Sequence, residues 1–295
     1  MPSVRLLALF SKSLCIIAYL TATVSAEPLY WSAKKDNKEF LIFGSVHIGT
    51  SEMYPLPQTV TDYLSSSDGL ILETDVRKES DIRYPQNQIT TKSILTTEQK
   101  TQLTHISRSL KLNSKQMLNA APWVTALTVQ LKRFEQLGYD SQYGIDNYLG
   151  IQATLKDKPV LSLEPMQFQI DLISQLNNDG QELLLSALNE WEHSESNTHC
   201  LFDSWESGDK QNLQEMGGSS EMSDEMIERF VFNRNHDWAQ QLDGNGLVGS
   251  NSKHLMVVGA LHLVGEQNLI QLLKDKGFTV KQLSTSKKAP CAFVH

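Results

Sequence analysis

The chain has little cysteine, no excess of basic residues and no long uninterrupted apolar run. Its 295 residues include three cysteines, and 26 Lys and Arg against 34 Asp and Glu give a net charge of −8. Because nucleic-acid binding depends on neutralising phosphates, we expect no nucleic-acid partner for an acidic chain without a basic block. The absence of a Cys-x-x-Cys-His motif excludes covalent attachment of c-type haem.

The first 26 residues have the pattern of a secretory signal peptide. Arg5 and Lys12 give a basic start, Leu14 to Val24 is apolar, and small residues end the run at Ala26. The apolar run is shorter than the roughly 20 residues that span a bilayer, so we favour a cleaved signal over a retained anchor. Cleavage would leave residues 27–295 as one exported domain, periplasmic or secreted, with 24 basic and 34 acidic residues and no stable membrane span.

Two cysteines, Cys200 and Cys291, lie in the predicted mature chain. An isolated pair in an oxidising compartment usually forms a disulfide, which favours a bond here over a metal role. The bond would join a predicted loop at His199 to Leu201 to the C-terminal tail. Closing a loop of about 90 residues would stabilise the fold by roughly 4 kcal/mol in the chain-entropy model.

Alternating strand and helix patterns run through the mature sequence and predict an α/β fold. The predicted strands are short apolar runs, and the predicted helices have apolar residues three and four apart. We expect a small central mixed β-sheet, with a large and mostly helical insertion over about residues 80–250 that forms a cap. The predicted strands are Leu29–Ala33, Glu39–Val46, Gly69–Leu72, Pro159–Leu163, Leu255–Val258 and Phe278–Leu283. The predicted helices are Pro57–Ser65, Thr97–Leu110, Ser114–Leu137, Ile145–Lys156, Met166–Leu176, Gln181–Glu192, Ser223–Gln241 and Glu266–Lys276.

Two Gly-x-x-His segments, Gly44–His47 and Gly259–His262, each lie at the end of a predicted strand. The carboxyl ends of strands in an open α/β sheet border the crevice that binds ligands. One such histidine alone is usually structural, but two at matching positions favour a shared functional site. Glu73 ends a third apolar strand, and burying its carboxylate without a partner would cost several kcal/mol. We therefore expect His47, Glu73 and His262 to meet in the fold.

His47, Glu73 and His262 suit two kinds of chemistry. Two histidines and one carboxylate make a metal site with open positions, where the metal lowers the pKa of bound water. Without a metal, one histidine acts as the general base on water, while Glu73 orients it and stabilises the imidazolium. The spacing is not the His-Glu-x-x-His of helix-borne zinc proteases, so the pattern alone does not separate the two.

Eight segments form an ordered pattern over nearly all of the mature chain. They are Leu41–Gly49, Tyr54–Pro57, Leu70–Asp75, Tyr143–Leu149, Lys158–Glu164, Trp205–Asp209, Asn233–Ala239 and Val257–Gly265. This pattern resembles the TraB/GumN family. Two Gly-x-x-His motifs with a glutamate between them are specific in combination, although each motif alone is weak.

The resemblance implies a site made of His47, Glu73 and His262. It makes peptide hydrolysis the best-supported activity, because the family includes the Tiki proteins, which are metal-dependent proteases. The implied cofactor is a divalent ion, Mn, Co or Zn, and the implied substrate is a peptide or a small molecule. The family is also similar in fold to the erythromycin esterases and to a haem-binding iron-uptake lipoprotein.

Four further residues are candidates for the site. Arg77 closely follows Glu73, and its guanidinium suits an oxyanion or a substrate carboxylate, with a surface arginine as the equal alternative. Asp146 follows a glycine at a predicted helix start, which indicates an N-cap, whereas the family match indicates a substrate-binding role. Glu164 ends a strand as Glu73 does and is expected to face the same crevice. Arg234 is predicted to bind substrate or to form a buried ion pair that fixes the cap.

We therefore expect an exported hydrolase, a metal-dependent peptidase with His47, Glu73 and His262 as ligands and Arg77 near the oxyanion. One alternative is a metal-independent esterase that uses a histidine base. The other is an envelope protein that binds haem, a metal or a peptide without turnover. A visible absorption band on adding haem, lost in His47→Ala, would favour the binding protein.

Overall fold

The computed structural model describes residues 26–77, 82–86, 89–217 and 223–294. The predicted signal peptide therefore lies outside the described residues, apart from Ala26. Six strands form one sheet in the order β4-β3-β5-β2-β1-β6. Their bounds are β1 Tyr30–Lys35, β2 Asn37–Ser45, β3 Gly69–Leu72, β4 Val160–Ser162, β5 Asn251–Gly259 and β6 Thr279–Gln282. The predicted α/β fold with a mixed central sheet is confirmed.

Four neighbouring strands of the sheet, β4, β3, β5 and β2, run parallel, while β1 pairs antiparallel with both β2 and β6. Both faces of β3 are buried, as its continuous apolar sequence predicts for a parallel strand. The parallel strands end level with one another. Ser45 at the end of β2 pairs with Gly259 at the end of β5, and Leu72 of β3 pairs with Val257 and with Ser162. Their carboxyl ends consequently share one edge of the sheet.

Helices pack against this sheet. Within the described residues they are α1 Gln58–Ser66, α2 Thr91–Ile94, α3 Thr97–Ser109, α4 Ser114–Asn119, α5 Pro122–Gln136, α6 Ile145–Leu155, α7 Met166–Ser174, α8 Gln181–Asn189, α9 Ser194–Ser207, α10 Lys210–Gly217, α11 Asp224–Ile227, α12 Asn233–Asp243 and α13 Leu269–Asp275. A π-helical segment, Glu228–Phe232, joins α11 to α12, and a 3-10 turn, Ala260–Leu263, follows β5. None of the helices in the described ranges has the length and apolar content that crossing a bilayer requires.

Two local predictions are corrected. The helix predicted over Ser114–Leu137 is two helices, because Pro122 occupies the first turn of α5 and cannot continue α4. The loop predicted around Cys200 is helical, since α9 runs through it. There the polar sequence conceals a buried face that includes Phe202 and Trp205. Tertiary packing of this face stabilises a helix that periodicity alone did not indicate.

The middle of the chain is mostly helical and contains its own apolar cluster. The buried members of this cluster are Leu95, Leu103, Ile106, Leu110, Met117, Ala126, Val129, Leu184 and Leu188. They are separate from the larger core around the sheet. The strand β4 also lies within the predicted insertion of residues 80–250, so this span contributes one edge strand to the sheet. The assignment of that span as a cap stays a prediction.

The predicted disulfide is present between Cys200 and Cys291, whose Cα atoms are 5.6 Å apart. It joins α9, rather than a loop, to the C-terminal tail. The side-chain amide of Asn212 donates to the carbonyl oxygen of Cys291 at 2.9 Å. Near the end of the tail, the Asn197 amide donates to the Val294 carbonyl at 2.8 Å. The tail is therefore fastened to the helical part of the molecule at several points.

Candidate active site

The shared edge of the four parallel strands gathers the residues that the sequence singled out. His47 follows β2, Glu73 follows β3 and Glu164 follows β4. The turn after β5 carries His262. Glu73 and Glu164 are also tied to each other's strands, because the Glu164 amide donates to the Glu73 carbonyl at 3.0 Å. Their proximity thus comes from the topology of the sheet.

His47 is the accessible member of this group, with 65% of its side chain exposed. Its Nδ1 lies 2.9 Å from Oδ2 of Asp146, and Oδ1 of Asp146 accepts a hydrogen bond from Ser45 Oγ at 2.9 Å. The carboxylate is fixed on both oxygens, and it in turn fixes the imidazole. Within the described part of the chain, Nε2 of His47 has no hydrogen-bond partner.

Asp146 reaches His47 because the start of α6 docks against the end of β2. The amide of Ile145 donates to the carbonyl of Val46 at 3.0 Å. A Cβ on Gly144 would lie 2.2 Å from the carbonyl oxygen of His47, so only glycine allows this approach. Gly144 is also the N-cap of α6, and the predicted N-cap role of Asp146 is therefore wrong. Asp146 instead orients His47.

The pKa of His47 reflects this pairing. The charge of Asp146 acts first, and its hydrogen bond and the charge of Glu73 add to it. Against them act a partial loss of solvation around the imidazole and the charge of Arg234, and the pKa rises from 6.5 to about 9. At neutral pH the imidazole is accordingly charged, and its neutral form becomes common only in alkaline solution.

A buried charge network lies behind His47. Arg234 on α12 contacts Oε2 of Glu73 at 2.5 Å and Oε1 of Glu164 at 2.6 Å through Nη2. Its Nε also donates to Glu164 Oε2 at 3.2 Å. All three side chains are less than a tenth exposed. Burial acts to raise the pKa of Glu73, but Arg234, followed by His262 and His47, outweighs it and lowers that pKa to about 2. The predicted buried ion pair of Arg234 is thus present.

His262 is held in its neutral form. Its Nδ1 lies 2.8 Å from Oδ1 of Asn235, and its Nε2 lies 3.2 Å from Nη1 of Arg234. Because a guanidinium is always a donor, these contacts assign the proton to Nδ1 and the lone pair to Nε2. Burial lowers the pKa of His262 to about 3, against the opposing effect of Glu73. The ring of Trp238 packs 4.5 Å from the imidazole.

Gly259 is the point where the three predicted residues meet. A Cβ on this glycine would lie 3.2 Å from Glu73 Oε1, 3.6 Å from His262 Cδ2 and 4.0 Å from His47 Nε2. The amide of Gly259 donates to Glu73 Oε1 at 2.7 Å, which aims the carboxylate at this position. The predicted convergence of His47, Glu73 and His262 is therefore observed in the fold, while their roles in chemistry stay predictions.

The family model described as the TraB/PrgY/gumN family matches residues 29–282, most of the chain. The chain belongs to the TraB/PrgY/gumN family. It is 30% identical over 241 residues to YbaP, a protein of Escherichia coli K12 described as uncharacterized, with 81% of this chain and 89% of YbaP covered. YbaP of Shigella flexneri matches with the same identity and coverage.

A further relative is named as a protease. The Metalloprotease TIKI homolog of Amphimedon queenslandica is 29% identical over 77 residues, which are 26% of this chain and 15% of that protein. No solved structure matches the chain.

The family resemblance implies a divalent ion, but the donor side chains of this chain are not arranged to hold one. In the described ranges, no group of three or more His, Cys, Asp or Glu side chains is placed to hold a metal ion. Glu73 Oε2, Glu164 Oε1 and His262 Nε2 all face the guanidinium of Arg234. A metal ion at these atoms would stand beside a fixed positive charge. The metal-ligand roles stay a prediction, and we derive no step through a metal.

Arg77 is not brought to the group. Its Nε and Nη2 form a paired contact with both oxygens of Asp75, at 2.7 and 3.0 Å. Its Nη1 donates to the carbonyl of Gly150 at 2.5 Å and to Thr154 Oγ1 at 2.7 Å. The guanidinium thus fastens the segment after β3 to α6. This placement gives no support to the predicted oxyanion role of Arg77.

Two side chains that hydrogen-bond to the buried carboxylates were not predicted from the sequence as site residues. Gln169 on α7 donates to Glu164 Oε1 at 3.0 Å and to Glu73 Oε2 at 3.4 Å. Trp238 donates from Nε1 to Glu164 Oε2 at 3.2 Å, and its ring lies 4.6 Å from the Arg234 guanidinium carbon. Trp238 follows Arg234 by four residues, a spacing that places both on one helix face. Gln169 carries no comparable sequence signal.

Proposed function

We propose that the protein is an exported hydrolase that cleaves a carbonyl compound, a peptide or a small-molecule ester, by activating water at His47. One observation carries the proposal: an accessible imidazole whose Nδ1 is fixed by Asp146 turns its other nitrogen toward the position over Gly259. This is the arrangement of a general base oriented by a carboxylate. It corresponds to the alternative hypothesis from the sequence, a metal-independent hydrolase with a histidine base.

The proposed reaction begins with neutral His47. Its Nε2 accepts a proton from a water molecule while the water oxygen bonds to the substrate carbonyl carbon. Asp146 accepts the hydrogen bond from Nδ1 and stabilises the imidazolium that forms. The imidazolium then returns the Nε2 proton to the leaving nitrogen or oxygen as its bond to carbon breaks. His47 alone changes protonation, and Asp146 stays ionised throughout.

The buried network has a positioning role in this proposal. Glu73 is ionised and lies next to His47, so its negative charge favours the imidazolium that water activation creates. Arg234 keeps that carboxylate ionised and in place. His262 is neutral, and its Nε2 accepts a hydrogen bond from Arg234, which fixes the guanidinium in place.

The family relationship and the disulfide support the remaining parts of the proposal. The similarity to a protein named as a metalloprotease, although confined to 77 residues, favours hydrolysis of a carbonyl group. The bond between Cys200 and Cys291 favours a location outside the reducing cytosol.

Hydrolysis of a panel of peptides and p-nitrophenyl esters tests the proposal, with the wild type compared with His47→Gln and His236→Gln. His236 is a matched control, since it is exposed and contacts Gln267 rather than the site. We expect His47→Gln to lose about 10²–10⁴ in kcat/KM with an unchanged circular dichroism spectrum, and His236→Gln to keep full activity. Equal activity of His47→Gln and the wild type would refute the assignment.

The same assay in the presence of a chelator tests the choice of mechanism. The proposed water activation needs no metal, so turnover should persist after extensive treatment with EDTA. Loss of turnover in EDTA that Mn²⁺, Co²⁺ or Zn²⁺ restores would overturn the metal-free step and favour the metal-dependent peptidase instead. Full-length protein is to be used, because the disulfide fastens the tail to the helical part.

A further inference from the structure

A cavity of about 320 Å³ lies among α5, α8 and α9, apart from the charged site. Its walls are mainly apolar. They include Leu127 and Phe134 from α5, Leu183 from α8, Trp191 from the 3-10 turn after α8, and Leu201 from α9. One water molecule, which has a single non-hydrogen atom, occupies about 30 Å³ in the liquid, so the cavity has room for about ten non-hydrogen atoms. Its size lies at the small end of the roughly 300–1,000 Å³ found for ligand pockets.

The charged groups in the cavity wall already have partners. Arg133 donates from Nη2 to Glu195 Oε2 at 3.1 Å, and its guanidinium carbon lies 5.0 Å from the centre of the Trp191 ring. Glu190 accepts a hydrogen bond from Ser186 Oγ at 2.7 Å. Because both signs of charge are present and both are satisfied, the wall favours an uncharged apolar group.

The cavity shares a structural element with the candidate active site. Leu261 lines the cavity, and the next residue in the same 3-10 turn, His262, belongs to the charged site. Consecutive Cα atoms are only about 3.8 Å apart, so one turn forms a wall of each. Met226, which also lines the cavity, is on α11, and the π segment leads from there to Arg234. Methionine side chains adapt their shape to different apolar ligands.

We propose that this cavity binds an uncharged apolar group of the substrate, of about ten non-hydrogen atoms, beside the hydrolytic site. That the group belongs to the substrate rests on the proposed function, whereas apolar binding itself does not. An aliphatic acyl chain and an aromatic side chain share the required chemistry. The cavity would thereby select substrates by their apolar part, while His47 acts on the carbonyl group.

The C-terminal tail completes one wall. Phe293 lines the cavity, and it stands two residues after Cys291 of the disulfide. Reduction of the disulfide should therefore loosen this wall and weaken apolar binding, even where the rest of the fold persists. Two hydrogen bonds join Val294, the residue after Phe293, to Asn197, and they limit how far Phe293 can move when the disulfide is reduced.

Binding of 1-aminonaphthalene, a neutral apolar fluorophore of about the size that the cavity admits, to the full-length protein tests the cavity directly. We expect saturable binding at one site. Leu127→Trp fills the cavity and should weaken binding at least tenfold. Leu131→Trp is the matched control, because it makes the same change one turn along α5 at a side chain that is 50% exposed. Ala187→Phe, which changes a lining residue of α8, should repeat the effect of Leu127→Trp.

The outcomes separate this proposal from the proposed function. Probe binding retained in His47→Gln supports the cavity, even if no substrate is hydrolysed. Absence of saturable binding to the wild type, or equal binding by folded Leu127→Trp, Ala187→Phe and Leu131→Trp, overturns it. Competition by 1-decanol alone indicates an acyl chain, and competition by 3-methylindole alone indicates an aromatic side chain. Where esters are hydrolysed, the preference for decanoate over acetate should fall at least tenfold in Leu127→Trp, and an unchanged preference contradicts the role in substrate selection.

Discussion

Replacing Arg234 with Met should destabilise the protein by about 3–5 kcal/mol at neutral pH, the range found when one partner of a buried ion pair is removed. The structure accounts for this size. The guanidinium is 9% exposed and is shared by Glu73 and Glu164, whose side chains are 5% and 7% exposed. Met retains much of the packing volume but leaves two carboxylates buried side by side without their cation. Their mutual repulsion would add to the loss of solvation.

The loss should depend on pH in a defined direction. Arg234 is the main cause that lowers the pKa of Glu73, so without it burial raises that pKa toward or above its unfolded value of about 4.3. Such a group binds a proton more readily in the folded state, so its folded form is favoured as the pH falls. The deficit of Arg234→Met relative to the wild type should consequently be smaller at pH 5 than at pH 8.

Urea denaturation followed by circular dichroism at the two pH values measures both effects. Arg133→Met is the matched control, because its ion-pair partner, Glu195, is 60% exposed and the change there should cost less than about 1 kcal/mol. The double variant Arg234→Met with Glu164→Gln should recover part of the stability by removing one buried charge. A deficit below about 1 kcal/mol for Arg234→Met at both pH values would refute the reasoning.

Three further changes probe the site and the fold. Gly259→Ala should lower kcat/KM at least tenfold, because the new Cβ would lie 3.2 Å from Glu73 Oε1. It should cost little stability, because the φ of −51° at this position suits alanine. Steady-state kinetics measures the effect, and an unchanged kcat/KM would contradict it. The pKa of His262 is about 3 when folded and about 6.5 when unfolded, so stability is lost as the pH falls from 6.5, by at most about 1.4 kcal/mol per pH unit. His262→Gln should reduce this slope in urea titrations between pH 7 and 5, and an unaltered slope would assign it to other groups. Reducing the Cys200–Cys291 bond, which closes a separation of 91 residues, should cost roughly 4 kcal/mol, and an unshifted thermal midpoint would show no such contribution.

The main elements of the site followed from sequence because they lie at strand ends. His47, Glu73, Glu164 and His262 each come directly after, or one turn beyond, an apolar run that the sheet buries. In a parallel sheet, such positions meet at one edge whatever the details of packing. The α/β class followed from the same alternation of strands and helices. A short apolar strand therefore gave both a fold element and a site residue.

The partners of these residues could not be predicted, because they depend on how helices dock on the sheet. Asp146 is 99 positions from His47 in the sequence, and only the approach of α6 at Gly144 unites them. Arg77 lies near Glu73 in sequence, yet Asp75 captures its side chain. Gln169 contacts the carboxylates from α7 with no sequence signal at all. Side-chain direction beyond a strand end is set by tertiary contacts.

The dependence of kcat/KM on pH in chelator-treated wild type and Asp146→Asn tests the central claim most directly, since this profile reports the base of the free enzyme. With a His47 pKa of about 9, only about 1% of the imidazole is neutral at pH 7, so wild-type kcat/KM should rise with pH and level off above about 9. Asp146→Asn removes the main cause of that pKa, so its rise should move toward 6.5, with a plateau lower by as much as about 10⁴-fold. A wild-type profile that falls above pH 7, or a profile that Asp146→Asn leaves in place, would contradict water activation by His47.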